Sequence, residues 1–307
     1  MKGTVIKSTG SYYDVRIEED NTVISNCRIK GKMRTDDIKS TNPVAVGDYV
    51  NISIESGEGL ITEVLPRKNY VVRRASNLSK QTHILAANVD QALLVVTINF
   101  PVTTPVFIDR FLASAEAFDV PVVLVFNKVD RYDQQLREEL EAFENIYRAM
   151  GYDVVEVSAK HEEGLDQIKE RLKGKVSVVA GHSGVGKSTL INKIEPGLNL
   201  RTDEISESNN SGKHTTTYAE MHPFSFGGYI IDTPGVRGFG ITGIEKNEIA
   251  HYFRDIFKVS DRCQYNNCTH RHEPGCAVKQ AVEEGKLAFS RYQSYINIVD
   301  SSTSKYR

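Results

Sequence analysis

The run Gly181-His182-Ser183-Gly184-Val185-Gly186-Lys187-Ser188 fits the spacing G-x-x-x-x-G-K-[ST], and Thr189 continues it into an apolar helix-like segment. Each residue type has a chemical reason. Glycines let successive backbone N–H groups turn inward around phosphate oxygens, and a following helix presents its N-terminus to the same charge. Lys187 would reach the β- and γ-phosphates, and the Ser188 hydroxyl would bind Mg²⁺. The competing interpretation is an ordinary glycine-rich turn between strand and helix. The Lys-Ser pair, placed after the strand-like Val176–Ala180, argues against it. This loop alone does not choose between nucleotide bases.

Asn127-Lys128-Val129-Asp130 makes that choice, at the end of the apolar run Val122–Phe126. In α/β sheets such strand ends are where ligands bind. Asp130 can accept two hydrogen bonds from guanine N1 and N2, a donor pair that adenine lacks. Asn127 would hold the loop, and the Lys128 stem would cover the ring face. Ser158-Ala159-Lys160 also ends a strand-like run, and the Ala159 N–H suits guanine O6. After Tyr229-Ile230-Ile231 comes Asp232-Thr233-Pro234-Gly235. A carboxylate there holds Mg²⁺ through water, and the Gly235 N–H senses a γ-phosphate. A plain strand-to-turn is the alternative for that tetrapeptide taken alone. Between the two lies Gly212-Lys213-His214-Thr215-Thr216-Thr217, where Thr216, with Thr215 as its rival, is expected to complete the Mg²⁺ shell. The implied ligands are GTP or GDP with Mg²⁺.

A second kind of chemistry lies near the C-terminus. Cys263, Cys268 and Cys276 fall within fourteen residues, with His270 and His272 among them. Three thiolates and one imidazole make a closed tetrahedral set for one structural Zn²⁺, with no position left for a reacting water. The spacing leaves His270 and His272 as alternatives. Cys27 stands apart and is expected to be a small buried hydrophobe.

These residues need elements to hold them. The 307 residues are 40% hydrophobic and 25% charged with net charge −2, a globular composition with no global basic field. The N-terminus turns polar too soon for a signal peptide, and the longest apolar runs are too short for a bilayer core of ~30 Å. A cytoplasmic protein, not bound to membrane, is expected, and a monomer. Residues 1–66 carry short β-rich runs (Thr4–Ile6, Tyr12–Ile17, Tyr49–Ile54, Leu60–Val64) suited to a small barrel, of OB or SH3-like type. Residues 67–87 read as a polar, basic connector. Residues 88–245 alternate strand and helix, as in a three-layer α/β domain. Residues 246–307 read as a helical domain built round the cysteine cluster.

The order of the motifs is unusual. In Ras-like GTPases the phosphate loop precedes N-K-x-D, whereas here the base-reading motifs come first, so the domain reads as circularly permuted. Where Ras-type enzymes place a water-orienting glutamine, this chain has Val236, and slow intrinsic hydrolysis is expected. The segments 201–217 and 232–240 then feed directly into the C-terminal domain.

Together N-K-V-D, G-H-S-G-V-G-K-S-T, H-T-T-T, D-T-P-G-V-R and C-x4-C-x-H-x5-C closely resemble the RsgA family of circularly permuted GTPases, over essentially the whole chain. The resemblance implies an N-terminal OB-fold, a permuted P-loop GTPase domain and a C-terminal zinc domain with His270 as the fourth ligand. It also implies hydrolysis of GTP stimulated by the small ribosomal subunit, rRNA binding and a role in late subunit maturation. Some members carry a histidine after D-x-P-G-V-R that is proposed to assist hydrolysis. Here Gly243 stands there beside Thr242, leaving His182 and His214 as candidate substitutes. Arg28, Lys30, Lys32 and Arg34 alternate with Ile29, Gly31 and Met33, which would place four cations on one barrel face if extended; Arg67, Lys68, Arg73 and Arg74 add to the basic surface. The rival readings are a nucleotide-gated RNA-binding module with incidental turnover and a P-loop small-molecule kinase. Asp130 and the switch motifs argue against the kinase.

Overall fold

The computed structural model describes residues 1–31, 42–74, 82–198, 219–232 and 244–301. Five strands open the chain: β1 (Lys2–Ser8), β2 (Tyr13–Ile17), β3 (Val23–Ile29), β4 (Tyr49–Glu55) and β5 (Glu58–Val64). Neighbours pair in the order β1-β2-β3-β5-β4, and β4 returns to β1 to close the barrel. The β3–β5 pair is parallel and the others are antiparallel, which is the OB arrangement and not the SH3-like one. Alternation drives the closure: Tyr13, Val15 and Ile17 on β2 turn inward against Val5, Val50, Ile52 and Ile61. Cys27 joins this core fully buried, as expected, and its thiol is pushed up to about 11 by burial and by Asp14. The four-cation array does not extend as expected. β3 stops at Ile29, and Gly31 adopts φ +66°, which breaks the extended run after Lys30; Lys32 and Arg34 lie outside the described residues.

The stretch taken for a connector forms a hairpin. β6 (Tyr70–Arg74) and β7 (Thr82–Ala87) pair antiparallel. Val71, Leu85 and Ala86 enter the main core, while Val72 and Ile84 pack on Ala45. The four cations at 67, 68, 73 and 74 dominate the composition and hide these short apolar runs. Arg67 grips the fully buried Asp48 through two bonds of 2.6 and 2.7 Å, tying the hairpin base to the barrel.

The middle of the chain supplies β8 (Gln91–Val96), α1 (Pro105–Ala117), β9 (Val122–Asn127), α2 (Gln134–Ala149), β10 (Asp153–Val157), α3 (Leu165–Leu172), β11 (Val176–Ala180), α4 (Lys187–Ile194), β12 (Ala219–Pro223) and β13 (Tyr229–Asp232). The strands lie in the order β10-β9-β8-β11-β13-β12, all parallel except β12. Buried on both faces, they are continuous apolar runs whose alternate residues divide between two layers. Leu94, Val96, Leu124 and Phe126 face α1 and α2; Leu93, Val95, Val123 and Val125 face α3 and α4. Side-chain caps start two of the helices, Thr104 for α1 and Asp133 for α2. β12 also pairs antiparallel with β1 of the barrel, Lys7 opposite Glu220 and Ser8 opposite Ala219. One eleven-stranded sheet therefore runs through both parts.

The C-terminal part consists of α5 (Arg254–Ser260), α6 (Ala277–Glu283) and α7 (Phe289–Ser301), helical as expected, and packs through α7 on α1. Its anchor is Arg291, only 1% exposed. The guanidinium donates to Asp109 of α1 at 2.5 Å and to both oxygens of Asp255 on α5 at 3.0 and 3.1 Å, and lies 4.6 Å from the Phe253 ring centroid. Tyr147 of α2 donates to the same Asp109 oxygen at 3.0 Å. Replacing Arg291 with Ala strands two carboxylates inside this seam, so we expect a loss of about 3–5 kcal/mol in stability by urea unfolding. A shift below about 1 kcal/mol would mean that the network does not hold the C-terminal helices.

Candidate functional site

The carboxyl ends of β8, β9, β10, β11 and β13 lie along one edge of the parallel sheet; Asn127–Asp130 stands at the end of β9, Ser158–Lys160 follows β10, the phosphate loop follows β11 and Asp232 ends β13. The phosphate loop joins β11 to α4. Gly181 has φ +138°, and a Cβ on it would meet the Val95 carbonyl oxygen at 2.3 Å. Gly186 has φ +97°, and a Cβ there would meet Asn127 Nδ2 at 2.4 Å. Both positions require glycine.

Four consecutive carbonyls of this loop are each held by a side chain. Lys187 Nζ donates to the His182 carbonyl at 2.7 Å, and His182 Nδ1 lies 3.0 Å from that of Ser183. Lys128 Nζ donates to the Gly184 carbonyl at 2.6 Å and Asn127 Nδ2 to that of Val185 at 2.8 Å. In a trans peptide the C=O and the next N–H point in opposite directions. Fixing these four carbonyls therefore fixes the N–H groups of Ser183, Gly184, Val185 and Gly186, the donors a phosphate cradle needs.

The residues expected to read the base converge on the same edge. Asn127 is 1% exposed, and besides Val185 it accepts from the Ala159 N–H at 3.1 Å. Lys128 takes a left-handed conformation at φ +65° and also donates to the Phe100 carbonyl at 2.7 Å. Val129 is buried behind the loop. Asp130 Oδ1 accepts from the Ser158 hydroxyl at 2.6 Å, and Oδ2 lies 3.6 Å from His161 Nε2. One oxygen is thus oriented by Ser158 and the other is turned toward the half-exposed His161. Lys160, between Ala159 and His161, is exposed at the rim.

Of the Mg²⁺-side residues, Ser188 is the second residue of α4, directly after Lys187, with Thr189 following. Val178 pairs with Ile231, so the backbone of Asp232 ends β13 beside the strand that feeds the phosphate loop. Thr215, Thr216, Gly235, Val236, His214, Thr242 and Gly243 lie outside the described residues. His182, a candidate water-positioner, bonds Thr103 and Ser183 and meets the Phe107 ring edge-on at 5.5 Å. It acts within the loop and on α1.

In the C-terminal part, the ligand atoms of Cys263, Cys268, His270 and Cys276 all lie within 4.8 Å of one another. His270 Nδ1 is 3.6 Å from Cys263 Sγ and 3.5 Å from Cys276 Sγ. With bonds of about 2.3 Å to sulfur and 2.0–2.1 Å to nitrogen, a tetrahedral zinc ion separates such ligands by about 3.6 Å. The residues therefore fit Zn²⁺. His272 stands outside the cluster and gives only its backbone N–H to Glu273. Burial lowers His270 and favours the neutral imidazole that a metal needs. Burial and the Cys276 sulfur push the Cys268 thiol up to about 12, a cost that a bound cation reverses. A supporting shell fixes the knuckle. The Glu273 carboxylate accepts from the N–H groups of Thr269, Arg271 and His272 and from the Thr269 hydroxyl. Tyr292 and Tyr295 on α7 donate to the carbonyls of His270 and Thr269 at 2.7 and 2.9 Å.

Sequence reasoning missed Thr103, Phe100, Tyr132, His161 and Glu273. Thr103 and Phe100 reach the site from the β8–α1 loop, whose sequence carries no motif. Tyr132 donates to the Asn127 carbonyl and accepts from the Ile98 N–H, each at 2.9 Å. Tyr132, two positions after Asp130, His161, next to Lys160, and Glu273, between His270 and Cys276, gave only the signal of a polar residue beside or inside a motif.

Two expectations follow. Asp130→Asn should weaken GTP binding by about 2–4 kcal/mol and favour xanthosine triphosphate, whose extra carbonyl suits an amide donor; unchanged GTP affinity in a titration of both nucleotides would remove Asp130 from base reading. Elemental analysis should find one zinc per chain, lost in Cys268→Ser and released as the pH falls and protons compete for the thiolates. Cys268→Ser should also expose the segment after residue 244 to protease more than it lowers GDP affinity. Protein purified without chelator and free of metal would contradict the site.

Comparison with known proteins gives the family. The family model described as RsgA GTPase matches residues 64–242, and the one described as RsgA N-terminal domain matches residues 2–61. The small ribosomal subunit biogenesis GTPase RsgA of Phocaeicola vulgatus is 55% identical over 309 residues, spanning 100% of this chain and 99% of the relative. A Bacteroides thetaiotaomicron relative, small ribosomal subunit biogenesis GTPase RsgA 2, is 56% identical with the same coverage. Among solved structures, YjeQ from Thermotoga maritima matches with a TM-score of 0.78 at 40% identity, over 98% of this chain and 97% of that one. YloQ, described as a circularly permuted GTPase, matches with a TM-score of 0.75 at 32% identity, over 100% and 96%. The chain belongs to the RsgA family of GTPases.

Proposed function

We propose that this chain hydrolyses GTP to GDP and phosphate as a switch in biogenesis of the small ribosomal subunit, with the barrel and the zinc-bearing helices docking on the subunit's rRNA. The full-length likeness to proteins named for that role supports the partner. One structural observation supports the switch. β12 begins at Ala219, directly after the segment that carries Thr216, and it is hydrogen-bonded to β1 of the barrel. Lys7 and Glu220 reinforce the seam at 3.2 Å. A partner that grips the barrel therefore holds the strand from which the Thr216 segment emerges.

In the reaction, Asp130 and Ser158 select guanine, and the pinned N–H groups of the phosphate loop hold the phosphates. Lys187 exchanges its loop carbonyl for phosphate oxygens. Ser188, Thr216 and Asp232 would hold Mg²⁺, which neutralises charge on the β- and γ-oxygens. Valine at 236 offers the attacking water no hydrogen bond, so turnover of the free monomer in the cytoplasm is slow and the subunit supplies order. On the barrel, Tyr12 is 39% exposed, with the Arg28 guanidinium 5.1 Å from its ring centroid. That pair offers a stacking surface and a cation to an unpaired base, the form in which RNA is read by sequence. Lys30 pairs with Glu55 beside it.

Purified small subunits should raise GTP turnover at least ~100-fold, about 2.7 kcal/mol of barrier. Ser188→Ala should abolish the effect, and Arg28→Ala with Lys30→Ala should raise the subunit concentration required, more so at high salt. Equal turnover with and without subunits would contradict the proposal and leave a nucleotide-gated binding module.

A further inference from the structure

One phosphate-loop side chain is not accounted for by nucleotide chemistry. His182 points away from the cradle, toward the β8–α1 loop, and both ring nitrogens have partners. Nε2 is 2.7 Å from Thr103 Oγ1, and Nδ1 is 3.0 Å from the Ser183 carbonyl oxygen. A carbonyl only accepts, so Nδ1 carries the proton and donates. In the neutral ring Nε2 then holds a lone pair and accepts from the Thr103 hydroxyl. Thr103 is set up to give that proton, because its oxygen already accepts from the Thr97 N–H at 3.1 Å. The Thr103 N–H donates in turn to the Thr97 carbonyl at 3.0 Å. A directed chain runs from the end of β8 through Thr103 and His182 to Ser183. Burial, with the Lys187 and Lys128 cations adding to it, lowers the imidazole's affinity for a second proton.

We infer that His182 is a positioning residue for the phosphate cradle, and that Thr103 selects the tautomer in which it works. With the Ser183 carbonyl held outward by Nδ1–H, the Gly184 N–H of the same peptide is held inward. The other three carbonyls of the loop are held by residues whose motifs already demand them, Lys187, Lys128 and Asn127. The Ser183–Gly184 peptide is the one whose orientation rests on a residue that the G-x-x-x-x-G-K-[ST] pattern leaves open. In the opposite tautomer a lone pair on Nδ1 would face the carbonyl, and the peptide would be free to turn. The inference rests on the phosphate-binding reading of the loop and is independent of the ribosomal partner. The simpler account, in which the ring only fills space against Phe107, leaves the tautomer and the Thr103 hydroxyl without consequence.

The test uses the full chain with GDP. Histidine ¹⁵N spectra, with His182 assigned from its loss in His182→Asn, should show an Nδ1–H ring in wild type and a mixed or Nε2–H ring in Thr103→Val. His182→Ala should bind GDP about 10-fold more weakly. His182→Asn, which keeps an N–H near the Nδ1 position, should recover most of that affinity. Thr103→Val should weaken binding when His182 is present and add nothing in the His182→Asn background. The GDP-to-ADP preference, set at Asp130, should not change in His182→Ala. An Nε2–H ring in wild type, or full GDP affinity in His182→Ala, would overturn the inference even where that variant folds poorly, since the wild-type spectrum and Thr103→Val stand on their own. Wild type that fails to bind GDP at all would instead overturn the reading of the loop as a nucleotide site.

Discussion

Asn127 is the side chain on which the candidate nucleotide site closes. It sits at the end of β9, donates to the phosphate loop after β11 and accepts from the backbone of the loop after β10. Three loops from three strands thus share one amide, buried and satisfied at both ends. Buried donors and acceptors are costly to leave unpaired, so the amide fixes the loops' relative positions as well as joining them. Gly186 is the counterpart of this contact, since any Cβ there would occupy the space of the Asn127 amide. The carbonyl pinning by Lys128, and the aim of Asp130 from its bond with Ser158, both depend on that placement.

The permuted order gives the closed site its mechanical meaning. Because the base loops come first in the chain, the described residues after the phosphate loop include β12, which pairs with the barrel, and α5–α7, which pack on α1, besides β13 of the central sheet. The barrel joins through strand pairing along the sheet, a directional contact between β1 and β12. The C-terminal helices join through Arg291 and its two carboxylates, which span α1, α5 and α7 and meet α2 through Tyr147. α1 in turn starts next to Thr103 and the phosphate loop. Both flanking parts therefore grip the central domain at elements one step removed from the candidate site.

Where chemistry dictates residue type at fixed spacing, the sequence was legible. The phosphate loop, Asn127 to Asp130, Ser158-Ala159 and the Cys₃His cluster stand at the strand ends and turns where their motifs put them, as do the alternating strands and helices of the parallel sheet, although the Ala159 N–H expected for guanine O6 is given to Asn127 Oδ1. The barrel's strand runs were visible too, although only the closing β1–β4 pair and the parallel β3–β5 pair decide its type. What escaped was of another kind. Arg291 and Asp109 are 182 positions apart and His182 and Thr103 are 79 apart, and neither pair leaves a local pattern. The hairpin of β6 and β7 was obscured because its apolar runs are short and flanked by cations, so composition outweighed periodicity. The expected row of cations on β3 failed for a local reason, the turn at Gly31.

The central claim is that these loops form one guanine-nucleotide site, with Asn127 as its joint and Asp130 as its base reader. Calorimetric titration of the full chain with GDP and with ADP tests it most directly. The account predicts tight GDP binding and at least ~100-fold weaker ADP binding, the factor expected when a carboxylate facing the base loses its paired donors. Equal affinity for the two nucleotides would contradict it.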